Sequence, residues 1–188
     1  MANMASVSYR IEGPKEILEK IQQAIIKAME DKEHWTEWVA CELLDIPIEE
    51  GKSRLGGLIE EEPSLGENVL KFYAEERWGL QDFEKLLRQK FPDIKVYWVV
   101  EGSGCEVYAT NDKERKYFPE RYWVDTCIDG SYQSEYFQYE SSMYKWLYDH
   151  TNGRVKNMED VEKFNSDYED SGAEDENFII IHKFEVMD

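Results

Sequence analysis

Apolar side chains recur at helical spacing at Ile17, Leu18, Ile21, Ala24, Ile25 and Ala28, a single stripe running to about Met29. Pro14 stands in the first turn of that helix, where a missing N–H breaks no ladder bond. Residues 5–11, ahead of Gly13-Pro14, alternate as a strand does. A second stripe, Leu80, Phe83, Leu86, Leu87 and Phe91, follows Trp78-Gly79 and is stopped by Pro92. Residues 69–76 before it read as a strand, and another strand is placed over 38–44. Between them, 47–68 is rich in Gly, Pro and Glu and reads as one long loop.

Two hairpins follow. In the stretch KVYWVVEGSGCEVYAT, residues 95–110, a two-residue loop at Gly102-Ser103 would let glycine supply a positive φ. That register pairs Val100 with Cys105, Trp98 with Val107 and Val96 with Ala109, all small or apolar, so Trp98 is expected in the core. The opposite face then pairs Lys95 with Thr110, Tyr97 with Tyr108 and Val99 with Glu106. The second hairpin turns on Asp129-Gly130, a type I′ signal, and pairs Ile128 with Ser131, Cys127 with Tyr132, Trp123 with Tyr136 and Tyr122 with Phe137. Both of its faces carry aromatics, so cover of each side, at least in part, is expected.

Residues 141–150 form a short helix with Met143, Trp146 and Leu147 inward and Asn152-Gly153 as its stop. A further helix covers 158–168, a polar loop 169–176, and a final strand 177–186. The order strand, helix, strand, strand, helix, strand is that of a ferredoxin-like βαββαβ core. The expected architecture is therefore α+β: one domain over 1–188, with a ferredoxin-like core at 5–110. In that reading residues 117–188 add short helices, an acidic loop, and an extra hairpin and C-terminal strand that extend the antiparallel sheet.

Charge changes the picture most. The 188 residues hold 41 acids against 22 Lys and Arg, a net charge of −19. Residues 129–188 alone carry fifteen acids and five bases. Such a field repels phosphates, which argues against nucleic acid and anionic membranes as partners. It fits either simple solubility or an acidic surface offered to a basic protein. The first residues, MANMASVSYR, show no apolar leader, and no apolar run approaches membrane-spanning length, so a cytoplasmic protein is expected.

Candidate chemistry is sparse. Cys41, Cys105 and Cys127 share no short spacing, and His34, His150 and His182 form no ligand motif, so neither metal nor cofactor is expected. Gly102-Ser103-Gly104 is a turn with no helix behind it to cradle phosphate. Carboxylate runs such as Glu60-Glu61-Glu62 read as solvated faces. What stands out is aromatic. If the helices cover the Trp98 face, Tyr97 and Tyr108 project from the other, beside Glu101 and Glu106. An aromatic patch ringed with carboxylates suits Lys or Arg through cation–π contact. The alternative is that the C-terminal segment folds over both rings.

Over Val69–Thr110 the chain resembles the ferredoxin-like domain of YubB-like proteins of bacterial mobile elements. The matching features are Trp78-Gly79, the helix closing at Phe91-Pro92, and the aromatic strand Val96–Glu101 with its acidic-glycine turn. Residues 5–46 suit that family's opening strand, helix and strand. The resemblance implies a fold and a bacterial setting, and brings no catalytic residues with it. The expected function is thus non-enzymatic: binding of another macromolecule, a basic protein. One alternative is a small-molecule binder using Tyr97, Tyr108 and Trp123 in a cleft against the 47–68 loop. A second is a carboxylate-dependent hydrolase.

Overall fold

The computed structural model describes residues 4–30, 39, 41–43, 45, 57–59, 61–77, 82–169 and 177–187, which form a mixed α+β protein. They fall into two compact units, one reaching from the N-terminus to Phe118 and regaining the chain at Val186, the other Pro119–Glu185. The first unit contains β1 (Met4–Glu12), α1 (Lys15–Glu30), β2 (Gly57–Ile59), β3 (Ser64–Leu65), β4 (Val69–Arg77), α2 (Asp82–Lys90), β5 (Lys95–Gly102) and β6 (Val107–Thr110). Next come β7 (Tyr122–Ile128), β8 (Ser131–Phe137), α3 (Glu140–His150), α4 (Met158–Glu169) and β9 (Phe178–Lys183), and last β10 (Glu185–Val186).

The first sheet runs β10-β6-β5-β1-β4-β2, with β3 also on β4. Its central strand, β1, pairs antiparallel with β4 on one side and β5 on the other. Alternation decides its faces. Ala5, Val7, Tyr9 and Ile11 are buried on one side with Leu70, Phe72 and Ala74 of β4 and Val96, Trp98 and Val100 of β5. Leu18, Ile21 and Ile25 of α1 and Phe83 and Leu87 of α2 complete the same core, as the two helical stripes require. Tyr9 and Phe72 stack at 4.7 Å, and Phe83 meets both edge-on at 5.8 Å. Two polar tips in this core are satisfied. The Tyr9 hydroxyl donates to Glu76 Oε1 at 2.5 Å, and the Trp98 indole N–H to Glu84 Oε2 at 2.8 Å.

Three expectations change here. Val39 and residues 41–43 are helical, whereas a strand was expected over 38–44. Val39 is buried and Leu43 packs on the same core, the four-residue spacing of one helical face. The edge of the sheet is instead the short β2, inside the expected 47–68 loop, paired with β4. Residues 47–56 and 60 of that loop lie outside the described residues.

The third change is the register of the first hairpin. Val100 faces Ala109 as Val99 faces Thr110, but Glu101 opposes Tyr108 and Gly102 opposes Val107. The loop is therefore 103–106, and Tyr97 and Tyr108 are not cross-strand partners, nor are Trp98 and Val107. Gly102 is needed for close approach rather than for its φ: a Cβ there would lie 2.7 Å from the Ala5 Cβ and 2.6 Å from the Cys105 sulfur. The positive φ of the loop, 54°, falls on Glu106. Beyond β6, Asn111 continues the ladder with its side chain, accepting from the Trp98 N–H and donating to the Val96 carbonyl, both at 2.8 Å. The slip is even in residue count, so every side chain keeps the face expected for it.

The second unit has its own sheet, β8-β7-β9. The extra hairpin and the long C-terminal strand thus build a separate three-stranded sheet instead of extending the first; the last short strand, β10, pairs with β6. The β7–β8 register is the expected one, Ile128↔Ser131 through Tyr122↔Phe137, with Asp129 and Gly130 at φ 50° and 74°. One face, carrying Val124, Phe137 and Ile179, packs on Met143 and Leu147 of α3 and Val161 and Phe164 of α4. Asn152 and Gly153, both at positive φ, end α3 as a C-cap pair does. Asn157 caps α4 through the Asp160 N–H at 3.0 Å. The Asn165 amide brackets Ile179, accepting from its N–H and donating to its carbonyl, and so fastens α4 to β9. Of the expected loop at 169–176, residues 170–176 lie outside the described residues.

Candidate binding faces on the two sheets

Each sheet has one face on its helices and one turned away from them. In the first unit the second face begins with Ser6, Ser8, Arg10 and Glu12 on β1. Tyr97 and Glu101 on β5 share it, with Tyr108 opposite Glu101 on β6. Glu106 sits in the preceding loop. Tyr108 is buried, and Tyr97 half-buried.

The segment after β6 folds along this face. Fully buried Asp112 holds it, accepting from the backbone N–H groups of Lys116 (3.0 Å), Tyr117 (2.6 Å) and Phe118 (2.9 Å). The turn so formed places Phe118 against Arg10, whose guanidinium is 5.3 Å from the ring centre. Lys116 Nζ and the Tyr117 hydroxyl both donate to Glu12 Oε1. Tyr97 meets Tyr117 edge-on at 5.1 Å, with Lys116 Nζ 5.7 Å from its ring centre. Burial pushes the Glu12 carboxyl up, but the hydrogen bonds from Lys116 and Tyr117 and the charges of Lys116 and Lys95 outweigh it and leave it below its ordinary value. Burial and the Glu12 charge raise the Tyr97 phenol. Tyr97 is thus engaged by its own chain, by a segment at 112–118 rather than by the C-terminal one.

In the second unit the corresponding face has three rows across β8, β7 and β9, set by the registers: Tyr136–Trp123–His182, Ser134–Asp125–Ile180 and Tyr132–Cys127–Phe178. Trp123 stacks on Tyr136 at 5.9 Å and 11°, and lies 5.1 Å from the His182 ring. Tyr132 meets Phe178 at 6.0 Å. Between these aromatic rows stands one carboxylate, Asp125, which takes the Ser134 hydroxyl and lies 3.6 Å from His182 Nε2. Burial lowers the His182 imidazole below its ordinary value, against the opposing pull of Asp125. Tyr132, Tyr136 and Ile180 are 64%, 42% and 45% exposed, so this face is partly open.

Of the five residues singled out from sequence, Tyr97, Glu101 and Tyr108 share one face of the first sheet, Glu106 lies in the adjoining loop, and Trp123 belongs to the second unit. Sequence reasoning passed over Asp125, Tyr132, Tyr136 and His182. The signal for the first three was present: Tyr132, Ser134 and Tyr136 alternate, and the Asp129-Gly130 turn sets them opposite Cys127, Asp125 and Trp123. His182 needed the β7–β9 register, which no turn specifies. The chain matches no protein-family model, no curated protein and no solved structure. Among the described residues no helix is long and apolar enough to cross a membrane, and no group of three or more His, Cys, Asp or Glu is placed to hold a metal ion.

Proposed function

We propose that this chain is a non-enzymatic, cytoplasmic binding protein whose second sheet receives Lys or Arg side chains of a basic protein. The observation that carries the reading is Asp125 standing between two aromatic rows on a partly exposed sheet face. Rows two residues apart on a strand are separated by about 6.6–6.8 Å. A guanidinium above Asp125 would therefore have ring faces on either side and a carboxylate beneath. Cation–π contact and the ion pair would act together there. The surroundings favour a cation, since residues 119–185 hold sixteen acids and six bases.

The first unit then serves as scaffold. We read it as a ferredoxin-like domain akin to that of YubB-like proteins, with β1, β2, β4 and β5 as its four strands. What supports this is the order β5-β1-β4-β2, antiparallel throughout, with α1 after the first strand and α2 before the last. Tyr97 and Tyr108 do not form the binding patch in this reading, because Tyr97 is tied to Glu12, Lys116 and Tyr117.

The test is titration of Trp fluorescence with a synthetic arginine-rich peptide at rising salt. The expected result is saturable, salt-sensitive binding that Asp125→Asn weakens by roughly tenfold, the equivalent of about 1.4 kcal/mol. No binding by the wild-type protein at low salt would refute the reading, as would equal affinity for an acidic peptide.

A further inference from the structure

The second sheet ends on β8, which occupies the outer position of the order β8-β7-β9. All of its residues from Ser131 to Glu135, and Tyr136, are exposed. An edge of that kind is a template for strand pairing, and proteins ordinarily blunt it with charged side chains, Pro, a bulge or a very short strand. β8 has no Pro and no bulge, SYQSEYF runs seven residues in unbroken register with β7, and its one charge is Glu135, an acid that opposes an acidic partner strand and suits a basic one. The opposite edge, β9, carries Lys183.

Chain geometry says which backbone groups face outward. The two-residue turn at Asp129-Gly130 makes Ile128↔Ser131 a hydrogen-bonded pair, and such pairs alternate along an antiparallel ladder. Asp125↔Ser134 is then a pair of the other kind, so the Ser134 N–H and C=O are directed away from β7. The Tyr136 N–H, two residues on, agrees, being turned toward the exposed Glu135 carboxylate at 3.3 Å. The outward groups therefore belong to the same residues whose side chains flank Asp125.

From this edge, resting on the reading of the second sheet as a site for basic side chains, we infer that the partner is an extended basic segment that adds to β8 as a further strand. Its alternate side chains would fall on the face of Asp125, Tyr132 and Tyr136, so that arginine or lysine at every second position is the pattern selected. The acidic charge of residues 119–185 favours such a segment over a second copy of this chain, which brings the same charge.

The experiment uses wild-type protein and a peptide of alternating arginine and threonine. Two further versions are N-methylated, one on every arginine and one on every threonine. N-methylation removes backbone donors but keeps the side chains. In antiparallel addition the arginine N–H groups face β8, in parallel addition the threonine ones. Strand addition predicts at least a tenfold loss of affinity for one methylated peptide and little change for the other. If all three bind alike, or both methylated forms lose equally, strand addition is wrong while the aromatic–acid site stands. If the parent peptide does not bind, both fail. Wild-type protein that sediments as a dimer, but as a monomer after Ser134→Pro, would overturn the inference by giving the edge to a second copy.

Discussion

Two sheet faces in this molecule lie away from their helices, and they are treated in opposite ways. On the first, charges are neutralised within the chain: Glu12 takes Lys116 and Tyr117, and Arg10 sits against Phe118. On the second, the aromatic rows around Asp125 keep Tyr132 and Tyr136 exposed. Tyrosines beside carboxylates occur on both, so residue type does not distinguish them. The difference is the segment after β6, which buried Asp112 folds back over its own sheet. An aromatic patch becomes a surface for a partner only where its own chain leaves it accessible.

The largest effect is expected in the core beneath the first sheet. Trp98→Ala removes a core ring and the N–H that satisfies buried Glu84, and should cost about 3–5 kcal/mol in urea denaturation. Unchanged stability would mean that β5 does not face the helices as described. A gentler change targets the cover. Asp112→Ala should cost about 1–3 kcal/mol by leaving three backbone N–H groups without their acceptor. It should also make Tyr97 more reactive toward nitration, bringing the first face closer to the second. Tyr97 reactivity that stays at the wild-type level would show that something other than the 112–118 turn protects it.

Acid should separate the faces by the pH at which each loses its contribution, not by the direction of the change. The His182 imidazole is held by burial below its unfolded value, so its contribution is present above about pH 6.5 and is lost as pH falls through the lowered folded value. The Glu12 carboxyl is also lowered, and its contribution is lost only as pH falls below the carboxylate range. Fluorescence-detected stability should therefore begin to fall just below neutrality, and His182→Asn should flatten that first decline while leaving the later one. A first decline unaltered by His182→Asn would assign it elsewhere.

Much of this fold could be read from the chain. The stripes of α1 and α2, the Pro14 and Pro92 boundaries and the Asp129-Gly130 hairpin are local signals, and the described parts of these elements lie where they placed them, residues 79–81 of the second helix lying outside the described residues. The failures are non-local. Gly102 looked like a turn residue because its neighbours are Ser103 and Gly104, yet its role comes from Ala5, distant in sequence. The 38–44 stretch was rich enough in apolar residues to fit either period. For the candidate site, Trp123 was legible as an aromatic on a two-faced ribbon, and Tyr97 as its apparent equal. What separated them, the Asp112 turn and the β9 pairing that brings in His182, depends on contacts that no short window contains.

The most direct test is hydroxyl-radical footprinting with and without the arginine–threonine peptide. The account predicts that the peptide protects Tyr132 and Tyr136 from oxidation and leaves Tyr97 and Tyr117 as they were. Protection at Tyr97 and Tyr117, with Tyr132 and Tyr136 unchanged, would contradict it.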